Sequence, residues 1–456
     1  MTNTCLNHSQ GNGNRRTYTW SGWVKRSGLG AFQCLMHTNQ AGHYCYFAFN
    51  TDHTLHFYDI DGPTQQGYLY TNRKFRDTNA WMHIVLRVDT TLATANDRIR
   101  FYINGQLEDS FSARLNPSQN KDMEINTEYH TMRLGTYNNS SSFYDGYMSH
   151  VHFTDGYSYG PDTFGETDSV TGEWKIKTDV SVSYGTNGYF VFKDGNNLSG
   201  STVQDQSGQG NNFSVIAGAI LKTETSPSNV FATFNLLAKH PSCGISFANG
   251  DNKITTTTSR GSVPSTLGFN SGKYYFEFDV VTAAQDGRWE IGIQPFANVA
   301  ASDATNSNNR MIGLSGYNGY VYYNGSSINN FYNTVGGFTS FTGIIGVAVD
   351  LDSSTKTIAF SRDGAWITGQ NATDTNFSNA LKVDITSSVA DYDYWHFGVG
   401  TGNGSGTAGV GQANFGDGTF GTASVSSAGT NASSNGIFEY DCPSGYTALS
   451  TKGLNL

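Results

Sequence analysis

Residues 344–367 read IIGVAVDLDSSTKTIAFSRDGAWI, and this stretch decides the fold class. Two apolar runs flank the polar turn DSSTK (residues 352–356), and Asp363-Gly364 opens a second tight turn. Short runs rich in β-branched and aromatic residues, separated by turn residues, are typical of antiparallel strands. The stretch therefore predicts two antiparallel strands followed by a further tight turn.

The same pattern continues on both sides of this stretch. Asn104-Gly105, between RIRFYI and QLEDSF, is the strongest hairpin signal in the first half. No segment longer than ten residues has a convincing apolar period of 3.6, so we expect few or no helices and none beyond a single turn. Further strands are predicted at residues 18–25, 31–36, 44–50, 55–58, 81–89, 98–103, 132–135, 147–153, 273–281, 288–294, 319–325 and 394–400.

Composition and length favour two large β domains over three smaller ones. The chain has 456 residues, with 53 Gly, 29 Phe, 26 Tyr and only 8 Pro. We predict an all-β protein of two tandem antiparallel β-sandwiches, because such domains often exceed 150 residues. The predicted boundaries are a first sandwich at 1–178, an irregular connector at 179–240, a second sandwich at 241–400, and a Gly/Ser-rich loop with a C-terminal segment at 401–456.

Charge excludes several classes of partner. Lys and Arg number 27 and Asp and Glu 37, for a net charge of −10, and no basic stripe occurs, so nucleic acid is not expected as a partner. No run approaches about 18 apolar residues, so no membrane insertion is expected. The first residues have no apolar core typical of a secretion signal, and we expect synthesis in a cytoplasm without reliance on disulfides.

One cluster has the composition of a zinc site. In CLMHTNQAGHYC (residues 34–45), Cys34, His37, His43 and Cys45 surround a predicted turn, and two sulfurs with two imidazoles suit tetrahedral zinc. Cys34 and His37 have opposite strand parity, however, and buried cysteine is a common small apolar residue. A structural role is the favoured alternative, and a disulfide across the hairpin is the weakest.

The order of motifs along the chain resembles a known pairing of domains. TYTWSGWVKRS (17–27), AWMHIVLRVDTT (80–91) and FYDGYMSHVHFTDG (143–156) resemble a laminin-G-like or concanavalin-A-like jelly roll. KYYFEFDVV and GVAVDLDSSTKTIAFSRDG resemble a SPRY domain. With SPSNVFATFNLL (226–237) between them and CPSGYTALSTKGLNL (442–456) at the end, the whole is similar to a family of virion-surface proteins of marine tailed phages.

This resemblance implies a set of expectations. It implies a jelly roll followed by a SPRY-like sandwich, and a virion structural protein such as a tail or head fibre. Only sixteen residues precede Thr17, where that family usually has a first strand, so we expect an incomplete sheet edge that a neighbouring chain could pair. Laminin-G-like domains can hold calcium, and the candidate ligands here are Asp59, Asp61 and Asp145, with solvated turn residues as the favoured alternative.

Catalysis has weak support in the sequence. Glycoside hydrolysis needs two carboxylates at a fixed separation, and jelly-roll glucanases place three acids on one strand. The nearest pattern is Glu277-Phe278-Asp279, which lacks the third acid and lies in the second sandwich. Asp391 and Asp393, with His396 nearby, form another spaced pair. Carboxylates at strand edges are mostly solvated, so this pair is explained without a catalytic role. We therefore expect a protein that is not an enzyme and has no cofactor, calcium remaining a candidate.

Binding has better support. Sugars are held by aromatic rings together with amide or carboxylate groups, and the loops TYNNSSSFYDG (136–146) and GYNGYVYYNGSSINNFYN (316–333) offer both. For any single tyrosine among these candidates, the favoured alternative to glycan binding is that the ring caps the core of the sandwich. Exposed tyrosine and asparagine are also common in protein–protein interfaces. The candidate binding residues are Tyr137, Asn138, Tyr144, Tyr317, Tyr320, Tyr323 and Tyr332.

The sequence thus predicts a non-enzymatic fibre or appendage on the virion, made in the host cytoplasm, with host attachment through carbohydrate binding. Other virion proteins and a host cell-surface glycan are the expected partners, and a homo-oligomer is expected. Two alternatives stay open: a capsid decoration or cement protein, and a glycan depolymerase.

Overall fold

The computed structural model describes residues 4–193, 198–199, 201–239, 244–256, 261–283, 289–296, 310–330, 342–369, 372–401 and 408–455. It divides into two compact units, Met1–Ile220 and Leu221–Leu456, here unit 1 and unit 2. Both consist of predominantly antiparallel sheets, which confirms the predicted all-β class.

Unit 1 contains two large sheets and one hairpin. A ten-stranded sheet has the order β10-β6-β5-β4-β3-β11-β1-β18-β17-β16, a six-stranded sheet has the order β15-β12-β2-β7-β8-β9, and β13 pairs with β14. Its strands are β1 (Cys5–Ser9), β2 (Thr17–Arg26), β3 (Gln33–Gln40), β4 (His43–Phe49), β5 (Thr54–Asp61), β6 (Thr64–Lys74), β7 (Met82–Asp89), β8 (Ile99–Ile103), β9 (Gln106–Glu108), β10 (Phe111–Leu115), β11 (Thr131–Leu134), β12 (Gly146–Asp155), β13 (Gly165–Thr167), β14 (Trp174–Ile176), β15 (Tyr189–Val191), β16 (Leu198–Ser199), β17 (Thr202–Val203) and β18 (Phe213–Ala217).

Unit 2 repeats this two-sheet plan. One sheet has the order β19-β20-β33-β22-β27-β28-β29-β30, with β31 on β28 and β34 on β22, and the other has the order β21-β32-β23-β24-β25-β26. The strands are β19 (Ile245–Ala248), β20 (Lys253–Thr256), β21 (Gly261–Pro264), β22 (Lys273–Thr282), β23 (Trp289–Gln294), β24 (Ile312–Ser315), β25 (Tyr320–Tyr323), β26 (Ser326–Asn330), β27 (Gly343–Asp350), β28 (Thr357–Arg362), β29 (Ala365–Gly369), β30 (Ala372–Asp374), β31 (Val383–Asp384), β32 (His396–Thr401), β33 (Val410–Asn414) and β34 (Thr447–Ala448).

Helices are short, as predicted. The α-helix is α1 (Thr386–Val389), and single 3₁₀ turns occur at Ala95–Asp97, Pro161–Thr163, Leu236–Ala238, Phe377–Asn379 and Gly453–Asn455. Within the described part of the chain, no helix is both long and apolar enough to cross a bilayer.

The predicted hairpin turns are present. Asn104 and Gly105 have φ angles of 48° and 78°, and Asp363 and Gly364 have 48° and 81°. Two successive residues with positive φ are what a two-residue turn between twisted strands requires. The Asn-Gly and Asp-Gly pairs therefore fix the registers of β8 with β9 and of β28 with β29.

The six-stranded sheet of unit 1 is buried on both faces. Tyr18 and Trp20 of β2 enter the core, while Trp23 on the opposite face stacks on His83 of β7 at 5.1 Å between ring centroids. Trp174 of β14 covers His83 from outside, and its Nε1–H donates to His83 Nδ1 at 3.0 Å. A side chain at Gly105 would come within 2.5 Å of the Trp174 ring, so glycine makes this close cover possible.

The segment that follows β33 (Val410–Asn414) is here called the tail. It covers the second face of the larger sheet of unit 2. Tyr275, on the face of β22 opposite to the core residue Phe276, packs with Phe438 and Tyr446 of the tail in a second apolar cluster. Glu277 of the same face is fully buried, and its carboxylate accepts the backbone N–H groups of Glu439 and Tyr440, both at 2.8 Å. We call this group of bonds the Glu277 clamp.

One hydroxyl donor and one side-chain amide donor complete the Glu277 clamp. The hydroxyl of Tyr275 donates to Oε1 at 3.1 Å and Nδ2 of Asn414 donates to Oε2 at 3.3 Å. Each carboxylate oxygen thus has two donors, which is why a buried acid is tolerated there.

Three sequence predictions about organisation need correction. The connector predicted at 179–240 is no separate element, because β15, β17 and β18 pair within the sheets of unit 1 and the chain divides after Ile220. A single division after Ile220 stands where boundaries were predicted at 178 and 241. The Gly/Ser-rich loop predicted from residue 401 is not open throughout, because Val410–Asn414 joins the sheet as β33 and Phe415 and Phe420 are buried.

The sheet edge before Thr17 is also more complete than predicted. Cys5–Ser9 forms β1 between β11 and β18, so it lies inside the sheet and leaves no gap there for a neighbouring chain. No local pattern predicts this strand, because CLNHS is short and its pairing partners lie more than 100 residues away.

Replacing Trp174 by Ala should destabilise unit 1. The substitution removes the cover of the Trp23–His83 stack and leaves His83 Nδ1 without its donor, so we expect a loss of about 2 kcal/mol in the free energy of unfolding, measured in urea. Val170→Ala, at a 91% exposed position next to the same hairpin, is the control and should change stability by less than about 0.5 kcal/mol. Equal effects of the two substitutions would contradict the role of Trp174.

Replacing Glu277 by Gln should remove a pH dependence. Burial raises the pKa of Glu277 to about 7 in the folded protein, against about 4.3 in an unfolded chain. The wild-type free energy of unfolding should therefore fall as pH rises from about 4.3 to 7, and the contribution should be constant above pH 7. We expect the stability advantage of wild type over Glu277→Gln to shrink by about 3 kcal/mol over that range.

The control for this titration is Glu439→Gln, since the Glu439 side chain bonds the Ser426 backbone N–H on an exposed part of the tail. This variant removes a tail carboxylate and keeps the Glu277 carboxyl, so the fall in stability with rising pH that we assign to Glu277 should persist in it. A wild-type advantage over Glu277→Gln that is constant from about pH 4.3 to about pH 7 would show that Glu277 does not titrate there.

Candidate functional site

The outward side of the ten-stranded sheet in unit 1 carries a cluster of aromatic side chains. Along β4, Cys45 and Phe47 point into the core, so Tyr44 and Tyr46 point outward, as strand geometry requires. We call the whole cluster the aromatic face; apart from buried His37 its members are half-buried, and it consists of Phe32, His37, Tyr44, Tyr46, His56, Tyr58, Tyr68, Tyr70 and Tyr137.

Strand register aligns part of this face in one row. Arg133 of β11 is paired with His37, His37 with Tyr46, Tyr46 with Tyr58, and Tyr58 with Tyr68. Five neighbouring strands at about 4.8 Å spacing give a row roughly 19 Å long. This length suits an extended ligand better than a single small molecule.

The rings contact one another along the row. Tyr46 and Tyr58 are near-parallel with centroids 5.4 Å apart, and Tyr58 and Tyr68 are near-parallel at 6.3 Å. Tyr137, from the loop after β11, lies 4.4 Å from the His37 ring and 5.8 Å from the Tyr46 ring. The loop residue therefore bridges the two strand residues and makes the aromatic surface continuous.

Three hydroxyls of the aromatic face, those of Tyr46, Tyr70 and Tyr137, are neutral hydrogen-bonding groups. Burial raises the pKa of Tyr46 and of Tyr70, whose hydroxyls are hydrogen-bonded to each other. Burial also raises the pKa of Tyr137 to about 12, with a contribution from its hydrogen bond to Tyr44. Neutral phenols can both donate and accept, as recognition of another hydroxyl requires.

A polar edge borders the row at β11. The Arg133 Nε–H donates to Asn139 Oδ1 at 2.9 Å, and its Nη1 donates to Asn39 Oδ1. Asn7 of β1 is paired with Arg133 and donates to Asn139 Oδ1 at 3.3 Å. Amide and guanidinium groups thus lie beside the aromatic surface, which is the combination that sugar recognition requires.

Of the three residues predicted in the first loop, Tyr137 joins the aromatic face. Asn138 is used by its own turn, where Oδ1 accepts from the backbone N–H of Ser140 at 2.9 Å. Tyr144 packs against the core and its hydroxyl donates to the Lys25 carbonyl at 2.9 Å, so its role is structural.

The predicted tyrosines of unit 2 do not form one surface. Tyr317 is 48% exposed, and Tyr320 stacks on Tyr322 with centroids 5.8 Å apart. Tyr323 has the opposite parity and belongs to the core, where its hydroxyl donates to Asp391. Tyr332 lies outside the described residues.

The four side chains of the predicted zinc site do not converge. Cys45 is buried in the core, and the buried Cys34 thiol donates to the Met36 carbonyl at 3.1 Å. His37 points to the aromatic face, and His43 is hydrogen-bonded to Asp61. The register irregularity between Cys34 and Met36 pairs Cys34 with Ala48, which has the same parity as Tyr46, so Cys34 lies on the side of His37 whereas Cys45 faces the core.

A different trio offers ligand atoms for a cation. Single atoms of His43, Asp61 and Glu124 lie within 4.8 Å of one another. Lys121 Nζ lies 3.6 Å from Asp61, and Arg15 Nη2 lies 2.8 Å from Glu124. These two cations already neutralise the carboxylates, so the trio forms an ion-pair network without an added metal.

The calcium candidates fall in different environments. Asp61 belongs to that network, whereas Asp59 is fully buried beside the Cys45 thiol, and burial raises its pKa to about 8. A carboxyl group that is largely protonated at neutral pH is a poor calcium ligand. Asp145 is buried close to Gly28 and is not part of the trio. The three predicted acids therefore do not share one site.

The acids considered for hydrolysis have other partners. Glu277 is held in the clamp described above, and Asp391 accepts from Tyr323. The His396 side chain is 8% exposed with Nδ1 2.9 Å from the Ser265 carbonyl, and Asp393 is exposed. Glu277 and Asp279 share one face of β22, but the tail covers Glu277 on that face.

A buried Ser–His contact also fails as a catalytic pair. Ser21 Oγ lies 2.8 Å from His83 Nε2, but Trp174 Nε1 can only donate, so His83 Nδ1 must accept and Nε2 must carry the proton. Burial lowers the pKa of His83 to about 3, so the ring is neutral. In this tautomer His83 donates to Ser21 and cannot take its proton.

Of the aromatic face, only Tyr137 is among the binding residues predicted from the sequence. The available signal was same-parity aromatics in three neighbouring segments: residues 44 and 46, 56 and 58, and 68 and 70. The intervening Phe47, Phe57 and Leu69 fill the core, so the tyrosines of the other parity lie on the outward side.

Comparison with known proteins agrees with a jelly roll in the first part of the chain. Residues 2–157, roughly a third of the chain, match the family described as the concanavalin A-like lectin/glucanases superfamily. No curated protein matches the chain. Each of three similar solved structures has a low sequence identity and a low TM-score.

The heptameric pentraxin of Limulus polyphemus has 12% identity and a TM-score of 0.26, covering 35% of this chain and 72% of its own. The SPRY domain of human HERC1 has 16% identity and a TM-score of 0.25, with coverage of 37% and 91%. The carbohydrate-binding module (CBM40) of the Ruminococcus gnavus IT-sialidase, bound to α2,3-sialyllactose, has 14% identity and a TM-score of 0.25, with coverage of 36% and 94%. Together with the sheets described above, the family match identifies a lectin- or glucanase-like jelly roll in residues 2–157.

Proposed function

We propose that the chain is a glycan-binding protein without catalytic activity, whose ligand lies across the aromatic face of unit 1. The observation that carries this proposal is the row from Arg133 to Tyr68, in which strand register aligns aromatic and polar groups over five strands. Sugar rings offer apolar C–H faces and hydroxyls, and this row offers the matching aromatic surfaces, phenols and amides.

The fold supports the same function. Residues 2–157 match a superfamily whose description names lectins and glucanases, so both binding and hydrolysis are within its range. Fold alone does not select between them. The aromatic face favours binding because its titratable side chains are tyrosine and histidine, and hydrolysis by the usual route needs a pair of carboxyl groups.

The biological setting is part of the proposal. The order of motifs resembles virion-surface proteins of marine tailed phages, so we propose a fibre or appendage that attaches the particle to a host-surface glycan. Other virion proteins and further copies of the chain would then be its partners, and the virion its location. A capsid cement protein and a glycan depolymerase are the alternatives. Gold-labelled antibody on intact particles would place the chain at the head, collar or tail.

Replacing Tyr58, in the middle of the row, by Ala should weaken binding. We expect about tenfold weaker binding of the polysaccharide identified by screening a glycan array, measured by calorimetry, because one ring contact contributes up to about 1.5 kcal/mol. Tyr102→Ala is the matched control, since Tyr102 is half-buried on β8 of the other sheet of unit 1. It should leave affinity unchanged. Equal loss in both variants would place the ligand elsewhere.

An assay for reducing ends distinguishes binding of the polysaccharide from its hydrolysis. Incubation of the purified protein with the same polysaccharide should release none, whereas the protein should be retained on the immobilised polymer. Release of reducing ends would establish a depolymerase. Absence of retention on host cells and on any glycan would favour the cement protein.

A further inference from the structure

Arg133 is the cation at one end of the row. It lies on β11, paired with Asn7 on one side and His37 on the other. Burial lowers the pKa of His37 to about 3, so His37 is neutral and contributes no charge. Arg133 is itself partly desolvated, since burial lowers the pKa of its guanidinium.

No carboxylate compensates this desolvation. Among the described residues, Arg133 forms no ion pair within 4 Å, and the ionisable groups that interact with it electrostatically are the neutral His37 and the thiols Cys5 and Cys34. Those thiols are neutral, since burial raises the pKa of each. A half-buried guanidinium without an acid partner is unusual, because a buried charge is costly unless paired.

The guanidinium is held in a fixed position with one nitrogen available. Nε and Nη1 are occupied by the Asn139 and Asn39 side-chain oxygens and, at 3.3 Å, by the Thr131 carbonyl. Nη2 has no acceptor among the described residues and is not among the buried unpaired polar atoms. Two neutral asparagines therefore orient the group without neutralising its charge, and they leave Nη2 free to donate to an incoming group.

We propose that Arg133 binds an anionic substituent, a carboxylate or a sulfate ester, of the glycan that occupies the aromatic face, so that the ligand class is an acidic polysaccharide. This inference rests on the proposed function and adds the charge of the ligand to it. The ligand's anion would occupy the position of the missing acid partner, while neighbouring sugar units contact His37, Tyr46 and Tyr58.

The charge of the whole chain makes this preference testable. At a net charge of −10 the protein repels polyanions at long range. A preference for acidic over neutral polymers would therefore have to arise from a local positive site and not from general attraction.

The test compares matched acidic and neutral polymers on the full-length chain. Polygalacturonate and its fully methyl-esterified form probe the carboxylate, and dextran sulfate and dextran probe the sulfate, each by affinity electrophoresis at fixed salt. We expect wild type to bind one acidic member about tenfold more tightly than its neutral counterpart, which is the size expected of one charge-assisted hydrogen bond. The pair that shows the preference identifies which anion is bound.

Arg133→Gln should abolish that preference by lowering the affinity for the acidic polymer to that for its neutral counterpart, and residual binding of the neutral polymer reports that the variant is folded. Arg133→Lys keeps the charge but loses the planar fork, so it should retain only part of the preference if Arg133→Gln proves unstable. Arg16→Gln, which removes an exposed arginine paired with Asp122 at 2.7 Å, controls for net charge.

Equal wild-type binding of acidic and neutral members, or an unchanged preference in Arg133→Gln, would overturn the role of Arg133 and leave glycan binding intact. Failure to bind any of the four polymers, together with a negative glycan array, would overturn both proposals.

Discussion

Strand alternation is the constraint on which the structure of unit 1 depends. In β4 to β6 one residue parity supplies Phe47, Phe57 and Leu69 to the core, and the other supplies tyrosines to the outward side. The core residues cannot shift register without exposing apolar side chains, so the positions of the outward rings follow from core packing. The candidate binding surface is therefore as rigid as the core behind it, which reduces the entropy lost on binding.

The two units use buried polar groups in a similar way, to attach irregular segments to a regular sheet. In unit 1, His83 receives the Trp174 indole and bonds Ser21. In unit 2, Glu277 receives two backbone N–H groups of the tail. Each buried group has directional partners, so each fixes one arrangement of the covering segment where apolar contact alone would allow several. Neither group is then available for catalysis, although each has a residue type that catalysis uses.

Local patterns predicted much of this fold, and long-range pairing limited the rest. Asn104-Gly105 and Asp363-Gly364 specify their turns through backbone conformation alone, so they were identified without the structure. In contrast, β1 is stabilised by β11 and β18, which no local signal reveals. The aromatic face could be predicted in part. The alternation of aromatic residues along each strand is visible in the sequence, but which side of the strand faces the core depends on the opposing sheet. The environment of Arg133 was not predictable, since Asn39 and Asn139 reach it from separate segments.

The Glu277 clamp has a consequence for the order in which the protein forms during synthesis. Strand β22 requires β33 and β34 as neighbours and residues 439 and 440 as hydrogen-bond donors. Unit 2 thus cannot complete its larger sheet until residue 448 has left the ribosome, whereas every strand of unit 1 has been made by residue 217. During the interval β22 and β27 are already outside the ribosome with an uncovered apolar face, the state in which nascent chains aggregate or bind chaperones.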